Sequence, residues 1–264
     1  MNTKNEYKRC FVAYLDILGF AERVKRSKNN QEEIALLLDS LKICSAFATG
    51  SKKITNDEGR ARAISIRSRF FSDSMVLFLK ENPRNIGHLF FIIRYVQDRL
   101  WEKGLMIRGA IACGDMYFPG EDLENNITLG PGIIKAYELE SQISIYPRII
   151  ISKRLYAYIQ RNNISSHPFA CKGELVDYIR QDSDGICFLD LLNKNITRAE
   201  GEKLERSEDM FSIVWESSAI NKYDSITAAI DTCITNGGNS RDEKIQQKCN
   251  WLKLYKERIL NEQK

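Results

Sequence analysis

Histidine is nearly missing from this chain: the 264 residues hold two, His88 and His167. Two histidines so far apart make histidine-based triads and histidine-held zinc hydrolysis poor expectations. The seven cysteines are scattered and never spaced as CxxC, which excludes a zinc ribbon and a disulfide frame and reads as reduced core thiols in a cytoplasmic protein. No apolar run approaches the ~20 residues a membrane-spanning helix needs, and the polar opening MNTKNEYKRC predicts no signal peptide. Nor is there an excess of one charge. Thirty-nine basic residues against 35 acidic ones leave +4, which argues against a dedicated nucleic-acid binder. Gly130 and Gly132 are not followed by Gly-Lys-Ser, so they form no phosphate loop of the Walker kind. The acidic run Asp182-Ser183-Asp184-Gly185 lacks the twelve-residue ligand pattern of a calcium loop and reads as a hairpin turn.

What is present is an ordinary globular composition, 43% hydrophobic and 28% charged, with alternating elements. Cys10–Leu15 is a short apolar run ending in Asp16, as expected of a buried strand. The spacing of Ile34, Leu37, Leu38, Leu41 and Phe47 predicts an amphipathic helix over 31–48. The polar stretch 50–61 reads as a loop. Residues 63–71 and 75–79 then read as an antiparallel hairpin with Asp73 at its tip. Pro83 and Asn85 open a second helix that Gly104 closes, and Leu105–Cys113 is a strand. A further helix is expected from Gly130 to about Ser141, then a strand at 148–151 with Ser152 capping a short helix, and a hairpin of 174–180 with 186–191. From about 197 onward the chain is polar and helical. The order β-α-β-β-α-β predicts an α+β fold: a ferredoxin-like sheet with helices on one face, extended by a hairpin. The division expected is a catalytic domain over 8–191 and a helical extension over 192–264 packed on or following it.

In such a sheet the first strand and the hairpin are neighbours, so Asp16 and Asp73 come to one edge. Two carboxylates there can hold a pair of hard cations, and hard cations bind phosphate oxygens. That suits in-line attack by a hydroxyl on the α-phosphate of a nucleoside triphosphate. Asp73 alone also reads as a common turn residue. Asp16 is different, because an unpaired carboxylate behind five apolar residues is costly to bury.

The surrounding text resembles the class III nucleotidyl cyclases. FVAYLDILGF (11–20) is similar to their first metal-binding strand and RFFSDSMVLFL (69–79) to their second metal-binding hairpin. MIRGAIACGDMY (106–117) carries the Arg-Gly run of the next strand, LGPGIIKAYELES (129–141) resembles the dimer-interface helix, and RIIISKRLY (148–156) fits the strand and helix after it. The resemblance implies two Mg²⁺ or Mn²⁺ ions held at Asp16, Ile17 and Asp73, with Asp16 and Asp73 catalytic. It also implies substrate contacts at Gly19 and Phe20, and a homodimer with composite sites. Lys172 stands where some cyclases place a phosphate-binding lysine.

The departures point further. Ile134 and Glu138 occupy the places of the purine cyclases' interface-helix Asn and Arg, and Arg69 and Ile127 replace their purine-reading pair. This pattern resembles the pyrimidine cyclases of bacterial anti-phage signalling, the Pycsar group. It implies UTP or CTP as substrate, cyclic UMP or cyclic CMP as product, and a separate effector protein that the cyclic nucleotide activates. Neither nucleic acid nor membrane is expected as a partner. Arg67 and Arg69 alternate along one strand face, as base or phosphate contacts or as a solvated face. Arg108 is either a further substrate contact or half of a salt bridge. Two alternatives remain open: a catalytically inactive cyclase-like nucleotide-sensing or interaction module, and a conventional adenylate or guanylate cyclase. The Gly-Gly-Asp-Glu-Phe turn of diguanylate cyclases is absent.

Overall fold

The computed structural model describes residues 6–45, 50–55, 61–117, 128–166, 173–193 and 219–262. Its strands are β1 (Tyr7–Ile17), β2 (Gly50–Thr55), β3 (Ala61–Phe71), β4 (Ser74–Lys80), β5 (Ile107–Tyr117), β6 (Ile149–Ile151), β7 (Ile179–Gln181) and β8 (Cys187–Leu189). Its helices are α1 (Phe20–Arg26), α2 (Gln31–Ser45), α3 (Pro83–Trp101), α4 (Pro131–Ile143), α5 (Lys153–Arg161), α6 (Ala219–Gly238) and α7 (Glu243–Asn261). The strands form one eight-stranded sheet in the order β2-β3-β4-β1-β5-β6-β8-β7. Its centre, β3-β4-β1-β5, has the antiparallel neighbours of the ferredoxin-like order, and β6 joins parallel to β5 through the α4 crossover. The fold is α+β as expected.

β1 is the middle of the molecule because both of its faces are apolar. Phe11, Ala13, Leu15 and Ile17 enter a large core with α2, α3, α5 and α7, which includes Phe90 and Trp101. Cys10 and Val12 face the other way, with Val76, Phe78, Ala112 and Met116, and Ala136 of α4 covers them. Period-two alternation therefore decides which face Asp16 serves: it shares the α4 face with Val12 and Tyr14. This corrects the expectation of helices on a single face. α4 packs on this face so closely that the β5 and α4 backbones leave no room for anything larger than glycine. A Cβ on Gly114 would lie 2.3 Å from the Gly132 Cα.

Two further readings are corrected, and two are followed only as far as the described residues reach. The first half of the expected 50–61 loop is strand β2, since ladder bonds to β3 satisfy the backbone of GSKKIT whatever its polarity. The helix expected over 31–48 is observed to Ser45, and residues 46–49 lie outside the described residues. The strand expected over 174–180 begins as a 3-10 turn, Leu175–Tyr178, that Glu174 and Asp177 close by reciprocal side-chain bonds. Of the C-terminal stretch, 219–262 is described as two helices; 194–218 lies outside the described residues. Other local signals hold. Gly104 takes φ +66 just after α3, and Ser152 caps α5; α3 is capped by Asn82, one residue before the Pro83 that opens it.

α7 is anchored to the sheet by a polar and aromatic clamp. Arg148 is buried with its guanidinium against the rings of Tyr146, Phe188 and Trp251, and pairs with Asp182 and Asp184 of the β7–β8 turn. Trp251 donates to Asp182 Oδ2 at 2.6 Å, so helix and turn share one carboxylate. The acidic turn is thus an arginine clamp. Arg180 adds a second, joining Asp190 of the sheet edge to Glu262 at the end of α7.

Candidate active site

Asp16 is the last but one residue of β1, and Asp73 lies in the two-residue turn between β3 and β4. The main chain locks them together. Ile17 N donates to the Asp73 carbonyl at 3.0 Å, while Leu18 N donates to Met106 O at 2.8 Å. Ser72 accepts a positive φ of 51° to make the turn so short. Across the β1–β5 ladder, Asp16 stands directly opposite Arg108.

That pairing resolves the two readings of Arg108 in favour of an ion pair, but with the site's own carboxylate. Arg108 Nε donates to Asp16 Oδ2 at 3.1 Å and lies 2.8 Å from Glu140 Oε1. Its single Nε–H points at Asp16, so Glu140 is held by charge without accepting that hydrogen bond. Nη1 donates to the Ser144 carbonyl at 3.3 Å, which ties the guanidinium to the C-terminal end of α4. Glu140, only 3% exposed, is the site residue that sequence reading missed. The signal was there as a lone acid on the α4 face that also carries Ala136.

Asp16 and Glu140 therefore share one guanidinium, with Asp73 tied beside Asp16 through the main chain. Burial pushes the Asp16 carboxyl above its ordinary range; Arg108 opposes the rise and Asp73 adds to it. Glu140 is raised in the same way: burial first, Arg108 opposing, Asp16 and Asp73 adding. This is an acidic centre short of positive charge. A divalent cation at Asp16 and Asp73 would relieve it, and carboxylate oxygens are the donors that Mg²⁺ and Mn²⁺ prefer. Among the described residues no three Asp, Glu, His or Cys side chains converge as a closed metal cage. The donor set fits an ion that takes its other ligands from the Ile17 carbonyl, water and substrate phosphate.

Arg67 and Arg69 lie on the same sheet face as Asp16, opposite Phe78 and Val76 in the β3–β4 ladder. Arg67 is 3% exposed, so the solvated-face reading fails for it. Burial, with Arg69 adding, lowers its pKa. Arg69 is half-buried and donates to its neighbour's carbonyl, Ser68 O, at 2.8 Å. Gly19 turns the chain into α1 with φ +74. Phe20 is 4% exposed and packs in the main core, so a substrate contact there would fall to its main chain. Lys172 and Ile127 lie outside the described residues. On α4, Ile134 is 59% and Tyr137 50% exposed, and Tyr137 packs edge-on against Tyr14.

No protein-family model and no curated protein matches the chain. Solved structures do resemble it. The adenylyl cyclase CyaB from P. aeruginosa is 16% identical, with a TM-score of 0.45 over 70% of this chain and 95% of that one. The guanylyl cyclase domain of the RhoGC fusion protein from the aquatic fungus Blastocladiella emersonii is 14% identical, with a TM-score of 0.37 over 69% and 93%. A class III adenylyl cyclase-like ATP-binding protein from Pseudomonas aeruginosa is 13% identical, with a TM-score of 0.37 over 59% and 36%. TM-scores this low leave the function to be argued from the site itself. Among the described residues no helix is long and apolar enough to cross a membrane.

Proposed function

We propose that the chain is a class III nucleotidyl cyclase that converts UTP or CTP to the 3′,5′-cyclic monophosphate and pyrophosphate. The observation that carries this reading is the acidic centre: Asp16 and Asp73, tied by one main-chain bond, beside a buried Glu140 that shares Arg108 with Asp16. Two Mg²⁺ or Mn²⁺ ions held there would make the ribose 3′-hydroxyl a better nucleophile and neutralise the departing pyrophosphate. The 3′-oxygen bonds to the α-phosphorus as the bond to the pyrophosphate oxygen breaks, and the hydroxyl proton passes to water.

Arg67 and Arg69 supply cationic donors on the same face, suited to phosphate oxygens or to the carbonyl edge of a pyrimidine. Arg69 can donate to a pyrimidine O2 or O4, and with Ile127 it does not reproduce the donor-and-acceptor pair that reads a purine edge. The exposed Ile134 and Tyr137 of α4 favour a homodimer in which each α4 faces the partner's acidic centre. The product would act on a separate effector in anti-phage defence, as the Pycsar resemblance implies.

One observation favours the inactive-module reading: Arg108 already occupies the oxygen of Asp16 that an ion would need. One experiment separates them. Purified protein is incubated with ATP, GTP, CTP or UTP and Mn²⁺, and the products are weighed. Cyclic UMP or cyclic CMP as the main product supports the proposal. Cyclic AMP or cyclic GMP overturns its pyrimidine part, and no cyclic product from any of the four overturns it whole.

A further inference from the structure

A cavity of about 880 Å³ lies beside the β1–α1 turn, walled by α1, the α3–β5 turn and the α6–α7 hairpin. That volume is within the range of small-molecule sites. Its charge is one-sided once internal pairs are removed. Glu33 is taken by Arg23 at 2.5 Å and Glu22 by Lys25 at 2.7 Å, which cancels both acids on the wall. Arg26, Lys103 and Lys248 remain. Arg26 donates to the Glu22 carbonyl, and the nearest carboxylate to Lys103 is Asp39, 3.9 Å away. Lys248, on α7, is half-buried and among the described residues has no carboxylate within ion-pairing distance. A half-buried ammonium without a counter-ion is costly, and the cost falls when an anion arrives. Leu105 and Ile245 line the same space, so it offers an apolar wall beside the cations.

We propose that this cavity binds a phosphorylated small molecule of about mononucleotide size, its phosphate held by Lys248, Arg26 and Lys103. The other groups around Lys248 fit that use. Burial lowers its pKa and Arg108 adds to the fall, while Asp242 and Asp16 oppose it. Lys248 thus feels the charges of Asp16 and Arg108 in the acidic centre. Leu18 and Gly19, next to Asp16 and Ile17, line the cavity. An occupant would bear on the position of that strand end, and so on turnover. The effect on turnover rests on the cyclase reading; the binding site does not.

The cavity carries its own reporters, because Cys233 and Cys249 line it while Cys187, on β8, does not. All three thiols are half-buried, with pKa values raised by burial, so they form a matched set under iodoacetamide at alkaline pH. The full chain is labelled in EDTA with and without inorganic pyrophosphate, and each cysteine is followed by peptide mass. At pyrophosphate ten times above its Kd, labelling of Cys249 should slow about tenfold, as occupancy requires, with Cys187 unchanged. The protection should vanish in Lys248→Gln, survive in Lys248→Arg, and survive in the Asp16→Asn, Asp73→Asn double variant. Circular dichroism confirms that each variant is folded. Absence of protection, equal protection of Cys187, or protection that persists in folded Lys248→Gln would overturn the site. No step involves metal or turnover, so a failed cyclase assay would leave this outcome unaffected.

Discussion

The Nε of Arg108 stands 3.1 Å from Asp16 Oδ2, directly across the β1–β5 ladder, and the same atom is 2.8 Å from Glu140 on α4. A single guanidinium therefore joins the sheet to the crossover helix at the place where the acidic centre forms. Removing it leaves two largely buried carboxylates facing each other. Arg108→Ala should destabilise the metal-free protein by about 3 kcal/mol, the usual cost of orphaning a buried charge. Glu140→Gln in the same chain should return about 1–2 kcal/mol of this, since residues sharing one ion pair are not additive. Urea unfolding of the two single variants and the double variant measures both. Additive losses would show that Arg108 and Glu140 do not act on each other.

Asp16 and Asp73 are the groups through which the site would hold its ions. Asp16→Asn and Asp73→Asn should each lower nucleotide turnover by on the order of a thousandfold, the several kcal/mol expected of metal-assisted charge neutralisation. The fold should survive, because asparagine keeps the shape and relieves like-charge repulsion. Initial rates under saturating Mn²⁺, beside thermal unfolding, test this. Near-normal turnover in either variant removes that carboxylate from the mechanism.

The Arg148 side chain turns to a different set of partners, clamping the β7–β8 turn to α7. Arg148→Ala should cost about 3–5 kcal/mol, as expected for breaking a buried pair; the arginine side chain is 1% exposed and that of Asp182 16%. Acid should loosen the same region. Burial works to raise the Asp184 pKa, but hydrogen bonding to Arg148 and to the main chain outweighs it, so the value is lowered from 3.8. Arg180 lowers Glu262 from 4.5. Both groups have folded pKa values below their unfolded ones. Their contribution is present above the unfolded values and is lost as pH falls through the folded values, below about pH 4. The Trp251 indole N–H resonance, identified by Trp251→Phe, should shift in that window and shift less in Asp184→Asn.

If each site takes its acidic centre from one subunit and α4 from the other, two different lesions can rescue each other. Asp73→Asn and Ile134→Glu should each be inactive alone. Mixed in equal amounts and allowed to exchange, half the dimers become heterodimers with one site free of both lesions, so about a quarter of normal activity returns. No recovery despite demonstrated exchange, or a fully active monomer in sedimentation, would sink the composite arrangement.

Much of this protein was fixed by local pattern. An apolar run ending in Asp16, a short turn around Asp73, Pro83 and Ser152 at the start of their helices, and Gly104 after another are all decided by neighbours in the chain. Alternation and capping reveal such features without knowledge of the fold. The strand GSKKIT was not legible, because it gains its ladder bonds from β3 and not from any apolar face of its own. The placement of Glu140 beside Asp16, of Lys248 near the strand end, and of Arg148 between Asp182 and Trp251 was not legible either. Each pair is separated by tens to hundreds of residues, and only the packing of α4 and α7 onto the sheet brings them together. Sequence alone thus determined which carboxylates end a strand and a turn. Tertiary structure decided how many share one arginine, because charge interactions depend on distance in space, and distance along the chain carries almost none of that information.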